Sequence, residues 1–298
     1  MNKYIFTAVI LSLLTLSCRN DSFTARLKSD LDAYISSKDA NIGVAVVFDG
    51  NDTIIVNGES DFPMLSVYKF PQALAVADYC IANGISLSDT IAIDFRELKE
   101  DTYSPLRDRY GISSLRLPIN ELLSYSLQQS DNNACDILFR IIGGPDTVDR
   151  FLKGKGLKDI HVRSTEDEMH QDLTLCYDNS STPLEMLKLI ELFDNGMRDE
   201  HGIFSEIALL METCRTGTDR ILQPMINTDV VVGHKTGTGD RNQNGRIIAV
   251  NDVGYVHLPD GRKYSIAIFV SDSNYGMSES SAIIAEISDM VYRSYNGK

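Results

Sequence analysis

The sequence has no excess of basic residues and no recognisable pattern of metal-binding side chains. Its 298 residues include 28 lysines and arginines against 42 aspartates and glutamates, which gives a formal net charge of −14. That balance argues against a nucleic acid or an anionic membrane surface as a partner. The five cysteines form no Cys-x-x-Cys pair and the five histidines no His-Glu-x-x-His pattern, so we expect neither a metal site nor a redox dithiol.

The chain also lacks internal repeats, low-complexity tracts and long linkers. Its N-terminal apolar run, residues 4–16 after Lys3, has too few residues to span a bilayer comfortably and predicts an export signal over residues 1–17. The run ends in Thr15-Leu16-Ser17-Cys18, which is similar to a bacterial lipoprotein cleavage site except that leucine is usual where Thr15 stands. A lipid anchor on Cys18 and plain cleavage to a soluble periplasmic protein both stay open, and both predict export.

The remaining cysteines, at positions 80, 135, 176 and 214, would then lie in an oxidising compartment. A bridge between Cys80 and Cys135 is one alternative. Buried free thiols are the other, and we favour them because cysteine behaves as a small apolar residue in protein cores.

Three short strings carry the chemistry: Ser66-Val67-Tyr68-Lys69, Ser130-Asp131-Asn132 and Lys235-Thr236-Gly237. A serine one helical turn before a lysine is the minimum for a hydroxyl nucleophile that is activated without histidine. The other two strings add a second hydroxyl, an amide and a second ammonium. Each string alone is commonplace as a turn, cap or strand end. Their order, at spacings of 64 and 105 residues, points to acyl transfer on a substrate that carries a carboxylate.

Hydrophobic periodicity and turn residues place these strings on a fold. They predict helices over residues 22–35, 66–84, 120–129, 134–142 and 278–295, and strands over residues 42–48, 53–56, 230–234, 247–258 and 263–271. Strands near both ends with helices between them predict an α/β part, residues 22–62 and 216–298, interrupted by an all-helical part, residues 63–215.

Two local features suggest a functional site around Ser66. Pro71 lies inside the predicted helix and suggests backbone strain, with an irregular first turn as the alternative. If Lys69 and Lys235 lie close together, each ammonium should lower the pKa of the other.

The three strings, together with Glu166, resemble the active-site motifs of the class A serine β-lactamases. The resemblance covers the chain from the first predicted helix to the last. Tyr103-Ser104-Pro105-Leu106 resembles a loop that places a tyrosine at the pocket wall, and Thr165-Glu166 the start of an omega loop, about residues 161–180. Residues 234–239 resemble the edge strand of the family. The resemblance implies a β-lactamase/transpeptidase-like fold, an antiparallel sheet flanked by helices with an inserted helical domain. It implies hydrolysis of small-molecule β-lactam antibiotics. We expect no cofactor and no partner protein, and a monomer is the default because the sequence indicates no oligomer.

The resemblance also implies a division of catalytic roles. Ser66 would be the acylated nucleophile, and Lys69 would either accept its proton or polarise the site as an ammonium. Glu166 would activate the deacylating water, and Ser130 would pass a proton to the leaving nitrogen. The backbone N–H groups of Ser66 and Thr238 would form the oxyanion hole.

Substrate binding falls to a second set of residues in the same resemblance. The residues and their implied partners are Tyr103 at the pocket wall, Asn132 on the substrate amide, and Lys235, Thr236, Thr238 and Arg220 on the substrate carboxylate. For Arg220 the alternative is an exposed cation at a helix end.

The sequence departs from the family pattern after Glu166. Many members have Glu-Pro with an asparagine four residues after the glutamate, whereas this chain has Asp167 and His170. A cis bond without proline costs about 3 kcal/mol, so we predict a trans Glu166–Asp167 bond and a differently folded loop. Asp167 followed by Met169-His170 is similar to an extended-spectrum and cephalosporinase branch of the family, and a reshaped loop should admit bulky cephalosporin side chains. Neither Leu65 nor Gly239 is cysteine, so the disulfide of one carbapenemase group is absent and carbapenem hydrolysis is not expected.

Two rival functions share the three strings. A penicillin-binding D-alanyl-D-alanine carboxypeptidase lacks the omega-loop glutamate, and Glu166 therefore favours the lactamase. A non-enzymatic β-lactam sensor acylates and stays acylated, and such a domain normally follows several membrane helices, which this sequence does not contain.

Overall fold

A five-stranded antiparallel sheet carries the last string of the sequence on its edge strand. The computed structural model describes residues 23–198 and 202–297. The sheet strands, in the spatial order β2-β1-β10-β9-β8, are β1 (Asn41–Phe48), β2 (Asp52–Val56), β8 (Val231–Thr238), β9 (Ile247–His257) and β10 (Lys263–Ser273). The five predicted strands are confirmed, but β8 runs four residues past its predicted end at His234. Lys235-Thr236-Gly237 therefore belongs to a strand.

The sheet is buried on both faces. Along β10, Ile266 and Ile268 pack in a core with the helix at residues 23–36 (α1) and with α10 (Met277–Asn296), whereas Ala267 and Phe269 between them pack in the core of the helical part. Successive strand residues point to opposite faces, so a strand covered on both sides is apolar almost throughout. This is the predicted fold class, an antiparallel sheet flanked by helices.

The helical part and its short strands lie between β2 and β8. Its helices are α2 (Lys69–Asn83), α3 (Pro105–Tyr110), α4 (Ile119–Gln128), α5 (Asn132–Ile142), α6 (Pro145–Gly154), α7 (Glu166–Gln171), α8 (Pro183–Leu192) and α9 (Gly202–Glu212). Its strands are β3 (Phe62–Pro63), β4 (Thr90–Ile93), β5 (Leu115–Pro118), β6 (Ile160–His161) and β7 (Ser180–Ser181). The predicted domain limits at residues 62 and 216 stay a prediction.

The helix predicted over residues 66–84 corresponds to α2, which ends at Gly84 in the left-handed conformation at φ 64°. The interpretation of Pro71 as a strained interior proline is wrong. The chain forms a 3₁₀ turn over Leu65–Tyr68 and α2 begins only at Lys69, so Pro71 falls in the first turn of the α-helix. Proline is tolerated there because the first N–H groups of a helix lack helical partners.

The thiols at positions 80, 135, 176 and 214 are all free, as we favoured. The predicted export segment, Cys18 and Ser22, the first residue of the predicted first helix, lie outside the described residues. Within residues 23–198 and 202–297, no helix is both long enough and apolar enough to cross a bilayer.

Candidate active site

Ser66 lies in a tight turn that is pressed against the edge strand β8. Leu65, immediately before it, has φ +48°, a conformation that is uncommon for a residue with a side chain and stores about 1–3 kcal/mol. At Gly237 on β8 an added Cβ would lie 2.3 Å from the carbonyl oxygen of Met64. The strand and the turn therefore meet through their backbones, and this contact fixes the position of Ser66.

Lys69 is the hub of the site. Its side chain is fully buried, and Nζ donates to Ser66 Oγ at 3.1 Å and to the carbonyl oxygen of Ser130 at 2.9 Å. It also donates to Asn132 Oδ1 at 2.7 Å. Glu166 Oε1 lies 2.9 Å from the same nitrogen, in an ion pair whose alignment is not that of a hydrogen bond. One ammonium thus joins four residues of the predicted set.

The two active-site lysines differ in their electrostatics. Burial alone would lower the pKa of Lys69, but the Glu166 carboxylate outweighs it and the pKa is raised. The prediction of mutual lowering is therefore wrong for Lys69, because the lysine spacing gave no sign of this ion pair. For Lys235 burial, assisted by the charge of Lys69, lowers the pKa to about 7.

Glu166 begins α7, and a buried carboxylate fixes that end of the helix. Asp136 Oδ1 accepts the backbone N–H of Glu166 at 2.8 Å and its Oδ2 accepts that of Asp167 at 2.9 Å. Thr165 caps the same helix, and the Glu166–Asp167 bond is trans as predicted. The sequence reasoning missed Asp136. It lies one helical turn after Asn132 on α5, and this spacing was the available signal.

Burial and the neighbouring charge of Glu166 raise the pKa of Asp136 to about 7. The two backbone N–H groups and Lys69 act in the opposite direction but do not outweigh them. The anchor of α7 therefore changes its charge near neutral pH.

Ser130 and Asn132 face the same hub from the start of α5. Lys235 Nζ donates to Ser130 Oγ at 3.0 Å, which leaves the hydroxyl proton free to point elsewhere. Ser130 has φ +59°, a second left-handed residue at the site. Asn132 accepts from Lys69 through Oδ1 and donates through Nδ2 to Thr102 Oγ1 at 2.8 Å.

The edge strand β8 presents two threonines and a backbone amide to this group. Gly239 N donates to Ala249 O at 2.9 Å, so its neighbour Thr238 occupies a non-hydrogen-bonded position of the antiparallel pair. The N–H of Thr238 therefore points away from β9 and toward the open side of the strand. Thr236 Oγ1 lies 2.6 Å from Thr216 Oγ1.

Arg220 is buried beneath the end of β8, so the alternative of an exposed helix-end cation is wrong. Its Nη2 donates to Thr238 Oγ1 at 2.7 Å. Its Nη1 donates to the carbonyl oxygens of Gly237 at 3.0 Å and Asn251 at 2.9 Å. The guanidinium thus brings positive charge to Thr238.

Tyr103 and His170 lie at the rim. Tyr103 is 58% exposed, and its backbone carbonyl oxygen accepts the N–H of Asn132 at 3.1 Å. His170 Nε2 lies 3.1 Å from Asp101 Oδ2. Its imidazole therefore bridges two loops at the mouth.

These side chains surround one cleft of about 440 Å³. The predicted residues that line it are Ser66, Tyr103, Ser130, Asn132, Glu166, Arg220, Thr236 and Thr238. Lys69 and Lys235 are buried beneath its floor. Within the described residues, no group of three His, Cys, Asp or Glu side chains could hold a metal ion.

Comparisons with known proteins point to one family. The model of the β-lactamase enzyme family matches residues 26–295. A β-lactamase of Bacteroides uniformis is 39% identical over 274 residues, covering 90% of this chain and 90% of that protein. A class A β-lactamase structure from Bacteroides cellulosilyticus DSM 14838 has a TM-score of 0.88 at 37% identity, covering 93% of this chain and 99% of that one. The TLA-1 extended spectrum β-lactamase has a TM-score of 0.88 at 36% identity, covering 91% and 99%.

Proposed function

The chain belongs to the class A serine β-lactamase family, and we propose that it hydrolyses β-lactams through a Ser66 ester that a Glu166-activated water cleaves. That it is a β-lactam hydrolase, and hence confers antibiotic resistance, follows from the family. The mechanism is our inference. It rests on one observation, the Lys69 ammonium 3.1 Å from Ser66 Oγ and 2.9 Å from Glu166 Oε1.

In the acylation step Ser66 Oγ attacks the β-lactam carbonyl carbon. The raised pKa of Lys69 favours an ammonium that polarises Ser66 over a neutral amine that accepts its proton. The proton of the Ser66 hydroxyl then moves to the Glu166 carboxylate. The N–H groups of Ser66 and Thr238 stabilise the developing oxyanion, a contribution of about 3 kcal/mol per donor.

Ser130 completes ring opening by giving its proton to the β-lactam nitrogen. Its Oγ accepts from Lys235 Nζ, so the hydroxyl hydrogen is available for the leaving group. The proton taken from Ser66 then reaches Ser130 by way of Glu166 and Lys69, so Lys235 keeps its charge and Glu166 is ionised again for deacylation. The covalent ester divides one difficult hydrolysis into two easier steps.

Substrate binding uses the opposite wall of the cleft. The carboxylate lies against Lys235, Thr236 and Thr238, with Arg220 supporting Thr238 from below. Asn132 donates its second amide hydrogen to the substrate side-chain amide, and Tyr103 forms the wall at the mouth.

Deacylation requires Glu166 to hold and deprotonate a water beside the ester. The two N–H bonds from the start of α7 to Asp136 place that carboxylate. The imidazole of His170 pairs with Asp101 at the rim of the cleft.

A preference for cephalosporins is the finer part of the proposal. The non-proline Glu166–Asp167 segment and the turn of His170 toward Asp101 support a reshaped loop. TLA-1, to which the chain is similar, is an extended spectrum enzyme. We expect a higher kcat/KM for a bulky cephalosporin than for benzylpenicillin. A benzylpenicillin value far above the cephalosporin value contradicts this preference.

The test of the nucleophile is turnover of a chromogenic cephalosporin. Wild-type protein should hydrolyse it repeatedly, and Ser66→Ala should neither turn over nor take up a covalent adduct. Ser126→Ala is the matched control, because that buried hydroxyl makes no hydrogen bond within the described residues. Stable acylation of the wild type would instead indicate a sensor, and efficient cleavage of a D-alanyl-D-alanine peptide a carboxypeptidase.

Export and a monomeric state also belong to the proposal. The mass of the mature N-terminus distinguishes a lipid on Cys18 from cleavage near Ser17. Sedimentation of the mature protein tests the monomer.

A further inference from the structure

A thiol, an imidazole and a carboxylate lie together beside β8. This group, which we call the thiol triad, consists of Cys214, His234 and Asp252. His234 Nδ1 lies 3.0 Å from both carboxylate oxygens of Asp252, and both side chains are buried. His234 Nε2 is buried without a hydrogen bond of ordinary geometry in the described residues, and the Cys214 thiol interacts with the same imidazole. Since Asp252 occupies Nδ1, Nε2 is the nitrogen left for the thiol.

Two hydroxyl groups connect the thiol triad to the cleft. Cys214 Sγ lies 3.4 Å from Thr216 Oγ1, and Thr216 Oγ1 lies 2.6 Å from Thr236 Oγ1. Thr216 and Thr236 both line the cleft. A change at the sulfur therefore reaches the predicted carboxylate-binding threonine through one intervening side chain.

The charges around Cys214 favour its thiolate. Burial raises the pKa of the thiol, but His234 and Lys235 outweigh it and lower the pKa to about 7. Arg220 also interacts with the sulfur, and Asp252 interacts in turn with the three cations. Thiolates, not thiols, are the reactive form of cysteine.

The other described thiols differ from Cys214 in both ionisation and position. Burial raises the pKa of Cys80, Cys135 and Cys176, the last to about 11. These three residues are buried, whereas Cys214 is partly exposed in the segment that follows α9. Its neighbours at positions 213 and 215 are exposed. The chain therefore offers one thiol that combines thiolate character with a place near the surface.

We propose that Cys214 is a modification site for small soft electrophiles and disulfide-type oxidants, and that its modification impairs β-lactam binding through Thr216 and Thr236. The effect on activity rests on the function proposed for the cleft. With methyl methanethiosulfonate the thiolate attacks the sulfenyl sulfur. A new S–S bond forms, the sulfenyl–sulfonyl bond breaks and methanesulfinate leaves. Dithiothreitol reverses the change by thiol–disulfide exchange.

The experiment treats the full mature protein with methyl methanethiosulfonate and follows each cysteine by peptide mass. At pH 7 we expect methylthiolation at Cys214 at least 10-fold faster than at Cys80, Cys135 or Cys176. The modified protein should lose at least 10-fold in kcat/KM for a chromogenic cephalosporin, mainly through KM, and dithiothreitol should restore it. Cys214→Ser, which keeps a hydroxyl toward Thr216, should stay active under the reagent.

The pH dependence of Cys214 labelling tests the role of His234. The labelling rate of Cys214 should rise with a midpoint near pH 7 in the wild type, and His234→Asn should move that midpoint to more alkaline pH. Labelling no faster at Cys214 than at the buried thiols overturns the site. Labelling that leaves kcat/KM unchanged, or equal inactivation of Cys214→Ser, overturns its coupling to the cleft. Labelling is measured without substrate, so its result does not depend on whether Ser66 is the nucleophile.

Discussion

The substitution Asp136→Asn should affect the pH dependence of stability and the rate of catalysis in different ways. The carboxylate is buried, and both of its oxygens accept N–H groups at the start of α7. Its raised pKa, about 7 against an ordinary 3.8, means that the folded protein retains a proton that the unfolded chain has released. The stability contributed by protonated Asp136 is therefore lost as pH rises from about 4 to about 7.

The size of the effect follows from that interval. Each pH unit of complete difference in bound protons corresponds to about 1.4 kcal/mol. From pH 5 to pH 8 the ionisation of Asp136 should lower the free energy of unfolding of the wild type by about 3 kcal/mol. Asparagine cannot ionise, so the variant should lack this decline. Relative to the wild type, it should gain about 3 kcal/mol over the same range.

Activity should move in the opposite direction. Asparagine offers one acceptor where the carboxylate offers two, so one buried N–H of Glu166 or Asp167 loses its partner at about 1–3 kcal/mol. If half of that is felt in the deacylation transition state, kcat at pH 8 falls by about 3- to 10-fold. The variant should thus be slower than the wild type at pH 8, while its free energy of unfolding lacks the decline that the wild type shows between pH 5 and pH 8.

The assay is urea unfolding at pH 5, 6, 7 and 8, paired with kcat for a chromogenic cephalosporin. Asp149→Asn is the control. Asp149 also accepts a backbone N–H, from Val162 at 3.2 Å, but the side-chain hydrogen bond from Lys153 lowers its pKa despite burial. Its stabilisation is lost only as pH falls below the ordinary 3.8, so Asp149→Asn should give a constant offset from pH 5 to pH 8. Parallel stability curves for Asp136→Asn and the wild type would refute the reasoning.

Three further substitutions test other parts of the site. Lys235→Arg should shift the alkaline decline of kcat/KM from about pH 7 to higher pH. The reason is that burial and the charge of Lys69 lower the pKa of Lys235, whereas arginine keeps its charge. A pH profile of kcat/KM from pH 5 to pH 10 checks this. Asn179→Ala removes a fully buried amide that makes three hydrogen bonds to the backbone of residues 163 and 164, and should lower the free energy of unfolding by roughly 2–4 kcal/mol in urea. Gly237→Ala places a Cβ 2.3 Å from a backbone oxygen and should lower both Tm and kcat/KM, the latter by about 100-fold or more.

Much of the sheet could be predicted because its strands are buried on both faces and are apolar almost throughout. The end of β8 could not be predicted from the hydrophobic pattern, since Lys235-Thr236-Gly237 is polar, and only the family resemblance of residues 234–239 indicated an edge strand there. Its polar side chains are retained because this edge strand faces the cleft rather than another strand. The start of α2 was misplaced for a related reason, because a 3₁₀ turn before a helix has no periodicity of its own.

The candidate site could be predicted as far as its residues are grouped in short strings. Asp136 and Asn179 were missed, because each hydrogen-bonds backbone that lies 15 or more residues away in sequence and only tertiary packing brings them together. The pKa of Lys69 was predicted in the wrong direction for the same reason. The charge that decides it comes from Glu166, nearly a hundred residues along the chain.

The central claim is that Ser66 carries the acyl group and that Glu166 is needed to remove it. The most direct measurement is the intact mass of wild type and Glu166→Gln, quenched at intervals after mixing with a cephalosporin. The wild type should return to its free mass as product forms, whereas Glu166→Gln should hold one acyl group per molecule on the peptide that contains Ser66. Turnover by Glu166→Gln at the wild-type rate, or an adduct on any other residue, would contradict the account.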